Sequence, residues 1–180
     1  MIPVSKIGTE SIPVIQELAK KTWEIAYAKI ISLDQMKYML DLFYSEAALN
    51  KQMQDGHQFI MAKDHNKPVG FASYSVKSPE ENDTFRLQKI YVDPEQQGKG
   101  IGKLLIGFII NDISTYNAVN LELNVNRRNK ALEFYKKIGF RVIKEEDVNI
   151  GNGYFMNDYV LSMPLEITHA PVDVSASLRP

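Results

Sequence analysis

Residues 90–105 read Ile90-Tyr91-Val92-Asp93-Pro94-Glu95-Gln96-Gln97-Gly98-Lys99-Gly100-Ile101-Gly102-Lys103-Leu104-Leu105. A strand-like apolar run ends at Asp93-Pro94, a turn with three glycines follows, and an apolar helical pattern opens behind it. Glycines let backbone N–H groups approach a ligand closely and take positive φ. The first N–H groups of a helix lack partners within it, and the helix dipole favours an anion there. Strand, glycine turn and helix in this order predict a pyrophosphate cradle. A P-loop is excluded, because no Gly-x-x-x-x-Gly-Lys-Ser/Thr run occurs. A dinucleotide fingerprint would need a third glycine where Lys103 stands, and its glycines would follow the strand directly. Here Asp93 to Gln97 intervene.

Upstream, residues 11–30 read as a helix, with Ile12, Ile15, Leu18, Ala19, Thr22, Trp23, Ala26 and Tyr27 on one face. Ser32 or Asp34 can cap a second helical stretch carrying Met36, Met39, Leu40 and Phe43, which Asp55-Gly56 ends. Residues 58–62 and 69–76 read as a hairpin around a polar turn, and 85–92 as a third strand. Downstream come a helix over 102–116, a strand over 121–125, and a helix over 129–138 closed by Gly139. Strands over 140–148 and 154–163 complete the pattern. One domain is expected over 1–164. Residues 165–180 lack periodicity and are expected to form an exposed tail.

The bulk properties fit this pattern. The chain has 180 residues, 44% hydrophobic and 24% charged, which suits one soluble globular domain. A formal net charge of −1 argues against nucleic acid as partner. With no cysteine, disulfides, cysteine zinc sites and cysteine nucleophiles are excluded. His57, His65 and His169 are scattered, so no metal is expected. The first residues do not read as a secretory signal, and the apolar run Leu104–Ile110 is too short to span a bilayer. The expectation is a cytoplasmic protein without membrane contact.

The glycine turn resembles motif A of the GNAT acetyltransferases, Gln/Arg-x-x-Gly-x-Gly/Ala, matched by Gln97, Gly100 and Gly102. The run Asn126-Arg127-Arg128-Asn129-Lys130-Ala131-Leu132-Glu133-Phe134-Tyr135-Lys136-Lys137-Ile138-Gly139-Phe140 resembles motif B of the same family. The resemblance covers residue 11 to about 163 and is concentrated in 87–140. It implies an α/β fold: a mixed, mostly antiparallel sheet of six to seven strands flanked by about four helices. In that fold the sheet splays between the strand ending at Val92 and the strand 121–125, and acetyl-CoA enters the gap. The implied cofactor-binding set is Tyr91, Val92, Gln97, Gly98, Lys99, Gly100, Ile101, Gly102, Lys103, Asn124, Asn129, Ala131 and Tyr135. Tyr135 is the implied general acid. Its spacing with Leu132, Phe134 and Ile138 equally suits plain packing of a helix on a sheet, and Asn129 also suits an N-cap.

The resemblance implies direct attack of an amine on the thioester in a ternary complex. Some family members carry a Glu base where this chain has Arg86, which cannot serve. Gln88 can order a water but is no base. Glu122 is the leading candidate base, unless it is a solvated strand residue; Asp158 and Tyr159 follow. Trp23, Tyr27, Tyr38, Met39, Tyr74, Tyr154, Phe155 and Asp158 are candidates to line an acceptor pocket. Asp34, Asp41, Glu46 and Asp158 are candidates to attract a cationic amine. Residues 22–40 and 154–161 resemble members acting on small amines, polyamines among them. The expected function is an N-acetyltransferase acting on a small primary amine, as monomer or homodimer. A protein or peptide N-acetyltransferase and a non-catalytic acyl-CoA sensor are the alternatives. Tyr135, Asn129 and the unbroken motif A speak against the sensor.

Overall fold

The computed structural model describes residues 2–166. A short strand β1 (Val4–Ile7) precedes helix α1 (Ile12–Ala26), which carries Pro13 in its first turn. Ser32 caps α2 (Leu33–Tyr44), its hydroxyl accepting from the Gln35 N–H at 3.1 Å. Ser45 then takes an extended ψ of 154° and caps α3 (Glu46–Gln54) through the Ala48 N–H. The second helical stretch is thus two helices, and there are five α-helices among the described residues where about four were expected. Strand β1 was also not foreseen, because four residues are too few to show a period.

Strands β2 (Gln58–Asp64) and β3 (Lys67–Val76) form the expected hairpin, turned at His65 and Asn66 with φ of 47° and 65°. Strand β4 (Thr84–Val92) leads through the glycine turn into α4 (Ile101–Ser114). Then come β5 (Asn120–Asn126), α5 (Ala131–Lys137), β6 (Arg141–Gly151) and β7 (Tyr154–Pro164). The seven strands lie in the order β1-β2-β3-β4-β5-β7-β6, and β4–β5 is the parallel pair. The Leu165 N–H still pairs with the Val119 carbonyl at 2.8 Å. The rest of the expected tail, from residue 167, lies outside the described residues.

Helices α4 and α5 bury Leu87, Leu105, Ile109, Leu121, Leu123 and Phe140 against one face of the sheet. Helices α1 to α3 bury Ile15, Trp23, Leu49, Phe59 and Phe71 against the other. The sheet opens in its middle. Strand β4 pairs β5 only from Thr84↔Asn120 to Leu87↔Leu123. Opposite Ser73 and Tyr74 of β3, β4 places Lys89 and Leu87, so Gln88 is an extra, bulged residue. A bulge bends its strand, and from Gln88 onward β4 stays with β3 while β5 stays with β7 as far as Asn126↔Asp158. The result is a gap between residues 88–92 and 124–126. Among the described residues no helix is long and apolar enough to cross a membrane.

Candidate active site

One lip of the gap is the end of β4. The Asp93 N–H donates to the Val69 carbonyl of β3 at 2.9 Å. Ladder alternation therefore turns the neighbouring Val92 N–H to the other edge of the strand, into the gap. Asp93 itself is 3% exposed and fixes the turn: its carboxylate accepts from the Glu95 N–H at 3.0 Å and meets Lys21 Nζ of α1 at 2.9 Å. Burial alone would raise this carboxyl; Lys21 and the Glu95 N–H more than offset that and hold it below the ordinary range.

The glycine turn follows. Gly98 and Gly100 have φ of +81° and +80°, and a Cβ built on either would stand in open space. Gly100 is the left-handed N-cap of α4. Among the described residues no hydrogen bond reaches the N–H groups of Gly98 to Lys103. Gly102 differs: a Cβ there would lie 3.1 Å from Phe134 Cζ, so this glycine lets α5 approach the start of α4. Ile101 is buried, its side chain in the core, leaving only its amide for a ligand. Gln97, Lys99 and Lys103 are exposed, and Lys99 Nζ donates to Gln96 Oε1 at 2.7 Å. Open glycines and free amides on a 14-residue helix fit a diphosphate.

The second lip is the end of β5 and α5. Asn129 Oδ1 accepts from the Ala131 N–H at 2.9 Å, one residue before the Lys130 N-cap of α5, and its amide reaches Tyr27 Oη at 3.5 Å. Tyr135 is 8% exposed and packs edge-on to Phe140. Burial, then Tyr27, raise its hydroxyl above the usual range. Burial and Tyr91 raise Tyr27 in turn. Tyr27 just after α1, Tyr91 of β4 and Tyr135 of α5 thus gather around the gap. Tyr91 also stacks with Trp23, Tyr44 and Phe71, so its ring belongs to the helical layer and only its backbone faces a ligand.

Acidic residues line the face of β5, β7 and β6 that α1 to α3 leave uncovered. Glu122 sits at the paired end of β4–β5, Cα partner of Arg86, with Lys77 Nζ at 3.1 Å and Arg86 Nη2 at 3.6 Å. Two cations occupy it, and the gap begins beyond it. Asp158 lies at the open end, opposite Asn126. Asn124, from the expected cofactor set, donates instead to Glu146 and, at 3.5 Å, to Asp158. Burial pushes the Asp158 carboxyl up to about 6, against the Asn124 hydrogen bond and with help from Glu146. Asp158 also bears on the Tyr27 hydroxyl. Tyr159 points to the opposite face and packs on the α4 core.

The aromatic candidates separate. Tyr74 is misplaced as an acceptor residue: it is 1% exposed beneath α4, and its hydroxyl donates to Asp112 at 2.6 Å. Trp23 and Met39 are helical-layer core. Tyr38 donates to the Ile150 carbonyl at 2.7 Å and stacks on Tyr154, bracing the β6–β7 hairpin against α2. Phe155 is exposed. Asp34 and Asp41 are exposed on α2, and Glu46 on α3. Sequence reasoning missed Lys89, just past the bulge. Its Nζ lies 5.2 Å from the Tyr44 ring centroid, and burial lowers its ammonium to about 8. A lysine at one strand position carries no signal of burial. No group of three or more His, Asp or Glu able to hold a metal occurs among the described residues.

The Acetyltransferase (GNAT) domain model matches residues 27–160. An N-acetyltransferase of Methanocaldococcus jannaschii with no characterised role is 35% identical over 96 residues, 51% of this chain and 42% of its own length. The chain thus spans under half of that relative. The spermidine N(1)-acetyltransferase of Thermoplasma acidophilum is 26% identical over 147 residues, 78% of this chain and 89% of its own. The crystal structure of the PaiA N-acetyltransferase of Thermoplasma acidophilum with coenzyme A superposes with a TM-score of 0.76, at 24% identity, over 91% of this chain and 99% of that one.

Proposed function

The chain belongs to the GNAT acetyltransferase family, and from that premise we propose that it moves the acetyl group of acetyl-CoA onto a primary amine of a small molecule by direct attack in a ternary complex. The observation that carries this is the opened sheet, with free amides of Gly98–Lys103 on one lip and Asn129 and Tyr135 on the other. Amides at the start of α4 hold the diphosphate, and Asn129 and Ala131 lie along the pantetheine arm. The Val92 N–H, turned into the gap, donates to the thioester carbonyl and strengthens as charge develops there. Tyr135, kept protonated by burial, donates to the departing sulfur.

An alkylammonium of pKa ~10 must lose a proton before it attacks. Asp158 rather than Glu122 is the proposed base. Burial pushes its carboxyl up to about 6 and it stands at the open end of the gap, whereas Lys77 and Arg86 engage Glu122 at the closed end. The attacking nitrogen forms the C–N bond, the C–S bond breaks, and the amine proton passes to Asp158, directly or through water.

Free-thiol release from acetyl-CoA, followed across spermidine, spermine, lysine, aminoglycosides and short peptides, tests the proposal. Release that depends on a small amine supports it. Release with peptides alone would move the reading to a protein acetyltransferase. No release with any amine, alongside tight CoA binding, would replace it with a non-catalytic sensor.

A further inference from the structure

Beside the open end of the gap lies a cavity of about 330 Å³, lined by Ile30, Ile31, Gln35, Asn126, Arg127, Arg128, Phe155 and Asn157. It adjoins the proposed base: Asn126 is the Cα partner of Asp158, and Asn157 precedes it in the chain. No lining residue is acidic, and two are arginines. Their situations differ. Arg127 is neutralised by Asp147 and by Glu145 at 3.5 Å. Arg128 makes no ion pair among the described residues; its guanidinium donates to the Lys29 carbonyl at 3.1 Å and the Ile30 carbonyl at 3.4 Å. Those carbonyls fix its plane without cancelling its charge, and its remaining N–H donors are left for another acceptor.

Arg128 is exposed, and a polyamine that reacts at Asp158 and extends into this cavity would bring its next ammonium towards an unpaired guanidinium, a like-charge approach. An acceptor bearing a negative group beyond its amine meets the opposite situation at both ends. Resting on the acetyltransferase reading above, we infer that the acceptor is a primary amine that also carries a carboxylate, with Asp158 at the amine and Arg128 at the carboxylate. Arg128 acts as a specificity residue and takes no part in the chemistry.

The test compares lysine with cadaverine, and ornithine with putrescine, pairs that differ only by the carboxylate. Thiol release is expected to show kcat/KM at least tenfold higher for the amino acid of each pair. Arg128→Ala is expected to bring that ratio towards one, through KM for the amino acid. If Arg128 only tied down the segment after α1, both members of a pair would fall together with the ratio kept, and that outcome overturns the inference. Equal or better use of cadaverine, putrescine or spermidine by the wild-type protein also overturns it, while leaving the acetyltransferase reading intact. Absence of thiol release with every amine overturns both.

Discussion

Tyr135 and Asp158 are buried beside the gap on opposite faces of the sheet, and burial acts on both in the same direction, keeping the proton on. For Tyr135 that yields a donor at every ordinary pH. Tyr135→Phe removes the hydroxyl and keeps the ring packing on Phe140, so turnover is expected to fall about 10²-fold with acetyl-CoA affinity within about twofold in calorimetry. Unchanged turnover would return Tyr135 to the core. For Asp158 the sign is worked from its raised value of about 6 against 3.8. Between those pH values the folded protein holds more protons than the unfolded one, so stability falls as pH rises through the window. Asp158→Asn is therefore expected to melt higher at pH 7, by about 4 °C, with the difference closing below the ordinary carboxyl value of 3.8. If Asp158 is the base, kcat/KM of the wild type is expected to rise through about pH 6, and the same substitution should abolish that rise. A variant that kept that limb would exonerate Asp158. Residue identity alone ranked Glu122 first, because strand alternation cannot show that Lys77, just after β3, and Arg86 of β4 close upon it. Tyr74 misled for a related reason. Its partner Asp112 lies 38 residues away on α4, and no local pattern signals that contact.

The elements that position the site were legible wherever a backbone requirement writes itself into composition. The turn into α4 is one such place: Gly98 and Gly100 occupy left-handed φ, which glycine alone adopts without strain. Gly100→Glu would cost about 1 kcal/mol in backbone strain, and its Cβ meets nothing within 4 Å. The fold should survive with a Tm only a few degrees lower and an unaltered circular dichroism spectrum. Acetyl-CoA affinity should fall at least 100-fold, because a carboxylate then stands among the amides meant for the diphosphate. Retained affinity would sink the cradle. Gly102 was read from the same run, but the contact it serves, Phe134 of α5, comes from outside it. The break at Ser45 was hidden between Tyr44 and Glu46, with neither proline nor glycine to mark it. The Gln88 bulge left no trace either, since a bulge is a property of the register between two strands, which neither run shows by itself.

At the scale of the whole molecule the sheet is two half-sheets, β1-β2-β3-β4 and β5-β7-β6, joined by a parallel ladder of four Cα pairs. The family resemblance, which the element order matched, implied a mixed sheet and where it would splay; the length of the joining ladder is set by the bulge and was not foreseeable. Short pairing between two well-packed halves makes the gap the place where a bound molecule can add most to cooperativity. Helices α4 and α5 already meet across it at Gly102 and Phe134. Acetyl-CoA lying between residues 88–92 and 124–126 would contact both halves at once. Saturation at about 100 times Kd should stabilise the native state by about 2.7 kcal/mol, a rise in Tm of roughly 5–10 °C. The more discriminating measurement is where amide exchange slows. Protection is expected on both lips together, over Gly98–Lys103 and over Asn129–Tyr135, because a ligand that bridges two half-sheets must quiet both. Protection confined to the first lip would mean that the diphosphate is held while the pantetheine arm lies elsewhere. Tyr135 would then be too far from the sulfur to act on it.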